Sequence, residues 1–281
     1  MKPKRIALMN IESFSSGLAI QDLIKREREN IAVVINSTKP LQEGLMKSVI
    51  HNYRRSGFRF VVYLFLNFTA YYWMSSLRDG FDRIRGATRP PMRLSAVCRH
   101  YAIPYFEAPD VNAPATHEVL SSHDVDLILI YYFDQVLKQP TLSIPRSGVV
   151  NVHAALVPAF RGLFPVFRAT QFGADPVGIT AHEINDEKID AGPILDRREI
   201  VTPAGLDALS RERFVNAGGV DLTCATLENF DALMKNRREQ TGPGSYYSFP
   251  ARADIAMFRR RGVKITSPFR FIAEIFWRKR L

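Results

Sequence analysis

Thiols are scarce: the chain has only Cys98 and Cys224, far apart and without a metal-type neighbour. That excludes a disulfide framework and a cysteine metal centre, and it points to a reducing compartment. Long apolar runs are missing too. The aromatic stretch Phe60–Met74 stops at fifteen uncharged residues, short of the roughly 20 that a bilayer-spanning helix needs. The opening MKPKRIALMNIESF has too brief an apolar run for a secretory signal and reads as a first strand. The turn after that strand, NIESFSSG, has no GxGxxG, so a dinucleotide fingerprint is absent and a dehydrogenase loses its main support. No repeat or low-complexity tract stands out. A cytoplasmic protein is the expectation.

What is present is a chain able to fold around a core, with 46% hydrophobic residues in 281. Its net charge of +10 comes from 38 Lys and Arg against 28 Asp and Glu, which favours anionic partners such as phosphates, nucleotides, nucleic acid or an anionic membrane face. The excess gathers at Arg54–Arg59, Arg78–Arg93 and Arg259–Arg280. Lys4–Met9 and Ile31–Asn36 are β-branched runs enclosing a helical pattern, Gly17–Arg28, and predict a βαβ unit that opens a parallel sheet. Leu94–His100 and Thr116–Ser122 read as helices, and Asp124–Tyr132 as a fully buried strand. Gly148–His153, Val177–Ile184 and Pro193–Val201 read as further strands. Ala204–Lys235 reads as an amphipathic helix bent or split at Gly218-Gly219. The expected organisation is an α/β unit over residues 1–205 with a helical insertion at about 41–93, then a C-terminal helix and basic aromatic tail over 206–281.

The insertion has two readings. The first is a buried helix or hairpin covering the sheet. The second is a peripheral membrane contact through residues 58–77 and 268–281, with Tyr63, Tyr71, Tyr72 and Trp73 at headgroup depth and arginines on anionic lipid.

The chemistry concentrates in GVVNVHAALVPAFRG and IDAG. Residues i and i+2 at a strand end point the same way, so Asn151 and His153 can converge on one reacting atom, and Asp190 supplies a carboxylate. An amide donates to a developing oxyanion, an imidazole moves a proton near neutrality, and a carboxylate orients the imidazole. Without an activated Ser or Cys, that set suggests direct acyl transfer through a tetrahedral intermediate rather than a covalent enzyme intermediate. Taken alone, Asn-x-His is weak, since a strand-end histidine is more often structural.

The ordered series is more specific: Asn151, His153, Leu156-Val157-Pro158, Arg161-Gly162, Gly178-Ile179-Thr180-Ala181-His182 and Asp190-Ala191-Gly192. It resembles the folate-dependent formyltransferases, the family of the glycinamide ribonucleotide, methionyl-tRNA and amino-sugar enzymes. The resemblance covers about Arg93 to Val201 well and leaves out the insertion and tail. It implies a Rossmann-like, mostly parallel sheet with flanking helices, 10-formyltetrahydrofolate as donor, and a primary amine as acceptor. Asn151 and His153 would hold the formyl oxygen, and Asp190 would tune His153 and relay the amine proton. The pterin would lie against Tyr132, Phe133, Gln135, Leu137 and Ile189, and the acceptor against Arg161, Gly162, Arg168 and Tyr246. No metal is implied. His182 reads as structural, or as a support behind the catalytic residues, because it shares a strand face with Thr180 and Ile184. Ala154 stands where proline is usual, and Arg168 where an apolar or amide residue is common. The acceptor expected is an amino sugar or similar small amine, anionic and nucleotide- or lipid-linked. Charged tRNA ranks behind it, because little room after Val201 remains for a tRNA-binding barrel. A lapsed binding protein of the same fold is the rival, and a homodimer is an open expectation.

Overall fold

The βαβ unit forms because its apolar spacing switches from period two to helical and back. β1 (Ile6–Asn10) and β2 (Ile31–Ser37) pair in parallel around α1 (Phe14–Glu27). Ser13 caps α1 by accepting from the Ser16 amide, and Lys25 and Arg26 sit in its last turn, where the helix dipole favours cations. The structure, a computed structural model, describes residues 2–38 and 45–277. The expected start of the insertion near residue 41 and the basic end of the tail, residues 278–281, lie outside the described residues.

The insertion is helical: α2 (Leu45–Ser56), α3 (Phe58–Leu64), a π-helical segment (Phe65–Ala70) and α4 (Tyr71–Ile84). Then follow α5 (Leu94–His100), β3 (Tyr105–Ala108), α6 (Pro114–Ser122), β4 (Leu127–Tyr131) and β5 (Val149–His153). After β6 (Arg161–Gly162) come α7 (Pro165–Phe172), β7 (Val177–Ile184) and β8 (Ile194–Ile200). The chain continues through α8 (Ala208–Glu228), α9 (Phe230–Lys235), β9 (Tyr246–Tyr247), α10 (Arg252–Arg260) and α11 (Pro268–Phe276).

Seven strands make the main sheet in the order β3-β2-β1-β4-β5-β7-β8. β1 to β5 run parallel, while β7 and β8 are antiparallel. β4, read as a continuous apolar strand, is buried along its whole length in the centre. One face of the sheet packs through Leu129 and Val150 against Ile20 and Leu23 of α1 and Leu222 and Leu227 of α8. The other packs Val33, Ile128, Ile130 and Val149 against Leu120 and Leu137. α8 therefore belongs to the main core, and the boundary expected at residues 205/206 does not separate two cores.

The Gly218-Gly219 pair does not split α8, which runs unbroken from Ala208 to Glu228. A Cβ on Gly219 would come 2.2 Å from Ile179 Cδ1 and 2.7 Å from the Tyr131 hydroxyl. The glycine is there so that the helix can lie close on the sheet. The break falls instead at Asn229, between α8 and α9.

A third cluster joins the insertion to the tail. Phe60, Tyr63 and Tyr71 are buried with Phe167 of α7, Phe258 of α10, and Phe271 and Ile275 of α11. Ring pairs such as Phe167–Phe258, with centroids 4.5 Å apart, pack it. Burying each such ring contributes about 1.5–3 kcal/mol. The first reading of the insertion is thus met on one face only, and that face covers the tail, α7 and the ends of α1 and α8. Its opposite face exposes Phe65, Trp73, Leu77 and Ile84. Among the described residues no helix is long and apolar enough to cross a membrane.

Candidate active site

β5 ends at the carboxyl edge of the parallel strands, where α/β sheets place ligands. Its last residues carry Asn151 and His153. The antiparallel register with β7 sets Asn151 opposite His182 and His153 opposite Thr180. The face shared by His182 and Thr180 is therefore the one that meets the candidate catalytic side chains. Of the two expectations for His182, structural or supporting the catalytic residues from behind, the geometry fits the second: its Nε2 lies 3.2 Å from Asn151 Nδ2 and 3.4 Å from Asp190 Oδ1. Strand-face reasoning within β7 could not reveal this without the cross-strand partner.

Asp190 is the hub. Asn151 Nδ2 donates to its Oδ1 at 2.9 Å, the Gly162 amide donates to its Oδ2 at 2.9 Å, and His153 Nδ1 lies 3.4 Å from Oδ1. Burial, with Asp190 only 8% exposed, works against its charge. That penalty is outweighed by His153, His182 and the Gly162 amide, which hold the carboxyl well below the usual carboxylate range. The carboxylate is thus ionised at neutral pH.

The imidazole of His153 is fixed from both sides. Nε2 faces the Phe160 carbonyl at 2.9 Å; a carbonyl only accepts, so in the neutral ring Nε2 carries the proton and the Nδ1 lone pair faces Asp190. Protonation at Nδ1 converts that approach into an ion pair. On His182, Nδ1 donates to the Glu183 carbonyl at 3.0 Å, leaving Nε2 as acceptor for Asn151.

The supporting shell comes partly from the tail, of which the sequence places only Tyr246 at the site. β9 pairs with β6, matching Arg161 to Tyr246 and Gly162 to Tyr247. Gly162 has a φ of 92°, and a Cβ there would lie 2.2 Å from the Tyr247 carbonyl; glycine alone lets its amide turn toward Asp190. Asp190 itself has a φ of 50°, and Gln240 Nε2 donates to its carbonyl and to that of Gly192, each at 2.9 Å. Gln240 carries no local motif signal.

The other expected residues divide. Arg161 borders Gly162, and its Nε has no hydrogen-bond partner among the described residues. Tyr246 is 54% exposed beside it. Arg168 is corrected: it is 4% exposed, paired with Asp254 at 2.9 Å and donating to Gln171 and the Ser248 carbonyl, so it ties α7 to the tail. Leu137 is a core residue. Gln135 takes a hydrogen bond from the Val111 amide and donates to Ser37, which makes its side chain a loop staple. Tyr132 accepts at its hydroxyl from Asn67 of the insertion. Phe133 is half-buried, and Ile189 and Val136 are exposed. For a pterin, then, these loops offer backbone, the Phe133 ring and two exposed aliphatics more than free polar side chains.

Residues 82–211 match the formyl transferase family model. Over that stretch the chain is similar to the formyl transferases. The formyl transferase segment contains Asn151, His153, Arg161, Gly162, His182 and Asp190, and excludes β1, β2 and most of the insertion. The chain is 35% identical over 130 residues to methionyl-tRNA formyltransferase of Kosmotoga olearia, covering 46% of this chain and 42% of that protein. It is 31% identical over 172 residues to the Syntrophus aciditrophicus enzyme, covering 59% and 54%. The chain thus spans about half the length of these relatives. Among solved structures, glycinamide ribonucleotide transformylase 1 from Symbiobacterium toebii superposes with a TM-score of 0.54 at 18% identity, covering 85% of this chain and 94% of that one. A sugar 3N-formyl transferase, WlaRD, crystallised with dTDP and 5-N-formyl-THF, superposes at 0.51 and 15% identity over 88% and 70%. These two likenesses establish the fold.

Proposed function

We propose that this protein transfers a formyl group from 10-formyltetrahydrofolate to a primary amine on a small anionic acceptor, an amino sugar or a similar nucleotide- or lipid-linked amine. The observation that carries the reading is the convergence on Asp190: a buried carboxylate held ionised, with an amide and two imidazoles within 3.4 Å, inside the family segment. The folate supplies the formyl carbon in an activated form. As the amine attacks, charge develops on the formyl oxygen, and the Asn151 amide and the His153 N–H hold it. Asp190 accepts the proton that the attacking nitrogen must lose, directly or through one water, and passes it to Nδ1 of His153, whose Nε2 gives its own proton to the departing nitrogen.

Both donors are engaged at rest, Asn151 by Asp190 and His182, and His153 by Phe160. Substrate binding therefore exchanges hydrogen bonds rather than adding them. The acceptor side is supported by Arg161, whose Nε has no hydrogen-bond partner among the described residues, and by exposed Tyr246 next to it.

The similarity to methionyl-tRNA formyltransferases supports a second reading, in which the amine belongs to charged tRNA. One assay separates the two: 10-formyltetrahydrofolate with a panel of amino sugars, nucleotide-linked amino sugars and charged methionyl-tRNA, read by mass spectrometry. Transfer to a sugar amine, abolished in Asp190→Asn, is the expected result. Transfer to tRNA alone selects the second reading, and equal rates for wild type and Asp190→Asn refute the mechanism.

A further inference from the structure

On α4 the side chains divide by angle. At 3.6 residues per turn, Trp73, Leu77, Phe81 and Ile84 fall within an arc of about 80°. The buried Tyr71, Ser75, Arg78 and Asp82 lie on the opposite side. For a surface helix this is inverted, because the solvent-facing arc is apolar: Trp73 is 68%, Leu77 63% and Ile84 85% exposed. α11 packs against α4 and repeats the inversion. It buries Phe271 and Ile275 and exposes Phe269 at 82% and, just past its end, Trp277 at 72%. The two tryptophans of the chain, Trp73 and Trp277, are both in this region and both exposed.

Charge frames the patch with one sign. Arg83 and Arg85 are exposed on either side of Ile84, and the Arg85 guanidinium lies 4.0 Å from the Phe81 ring centroid. In sequence, Arg278-Lys279-Arg280 follows directly on Trp277.

We infer that the outward face of α4 and α11 docks onto an anionic lipid surface. Interfacial tryptophans, an apolar arc and neighbouring arginines are what a headgroup–acyl boundary accepts. A second copy of the chain fits less well, since a self-complementary contact brings two arginine-framed patches together on molecules of net charge +10. The protein would lie on the bilayer, consistent with the lack of a membrane-crossing helix among the described residues. This inference does not rest on the formyl-transfer reading.

The test is flotation of the full chain with vesicles of phosphatidylcholine alone or of equal parts phosphatidylcholine and phosphatidylglycerol, alongside light scattering without lipid. The expected result is binding to the anionic vesicles that weakens as salt rises. It should fall roughly tenfold or more in Trp73→Glu/Leu77→Glu. Both positions are exposed, so circular dichroism should remain that of wild type; if either variant residue unfolds the chain, Phe269→Glu replaces the pair. No flotation, flotation unchanged by these substitutions, or a dimer that the substitutions dissolve would each overturn the inference.

Discussion

Two carboxylates are buried almost equally and behave in opposite ways. Asp190 is surrounded by an amide, a backbone N–H and two imidazoles, groups that favour a negative charge, and it stays ionised. Glu212 on α8, 1% exposed, meets hydroxyls instead: Ser15 donates to it at 2.9 Å and Tyr63 bonds the same oxygen. Desolvation dominates there, and the hydroxyls offset it only in part, so its pKa is pushed up to about 7. Hydroxyls bond a carboxyl in either protonation state, whereas amides and imidazolium select the anion. Position in the fold matches this difference. Asp190 serves the candidate reaction, while Glu212, with Asn67 bonded to the Ser15 amide and the Tyr132 hydroxyl, bolts α3 and the π-helical segment to α1 and α8.

The sharpest way to break the comparison is to neutralise each carboxylate. Asp190→Asn should lower formyl transfer by roughly a thousandfold, within the usual range for a general base, with the fold retained. Glu212→Gln should leave turnover near wild type and change the pH dependence of stability. A raised folded pKa means that the native state holds the proton longer than the unfolded chain. The wild type should therefore be most stable below about pH 4.5 with respect to this group and lose up to about 3 kcal/mol as pH rises through about 7. The variant should lack that slope in thermal melts between these values. Asp190 has the opposite sign: its lowered pKa contributes stability above its ordinary value of 3.8 that disappears as pH falls below it.

The insertion side of the comparison can be tested at Asn67. Asn67→Ala removes the acceptor for the buried Ser15 amide and the donor to Tyr132. A loss of about 1–3 kcal/mol is expected from the unpaired amide, measured by urea unfolding. The Asp190 hydrogen bonds do not include Asn67, so the acid limb of the pH–rate profile should stay in place.

Where structure follows local periodicity, the sequence was readable. Six of the seven main-sheet strands fall within a few residues of the apolar runs, and β5 delivers Asn151 and His153 to the strand end as expected. What escaped depends on distant pairing. The β6–β9 ladder joins two-residue strands far apart in the chain, too short to leave a pattern of alternation. Arg168 reads as a free cation until the tail supplies Asp254 and the Ser248 carbonyl. His182 reads as either structural or supporting until the register sets it against Asn151. Gly219 reads as a helix breaker until Ile179 and Tyr131 are found beneath it.

Gln240 gives the finest division between charge and position at Asp190. Its side-chain nitrogen donates to the Asp190 and Gly192 carbonyls, not to the carboxylate. It supports a backbone with φ of 50° that aspartate adopts more readily than most residues but still adopts locally. Gln240→Ala leaves those carbonyls without their donor, a change of about 1 kcal/mol each. The carboxylate then keeps its partners but sits less firmly against His153. The expected outcome is a kcat roughly tenfold lower, within what a small misplacement costs, with KM for the amine near wild type. Because His153, His182 and the Gly162 amide still set the charge on Asp190, the acid limb of the pH–rate profile should not move. A displaced acid limb would mean that Gln240 acts on the ionisation of Asp190 itself, and positioning would then be the wrong account of the tail's contribution.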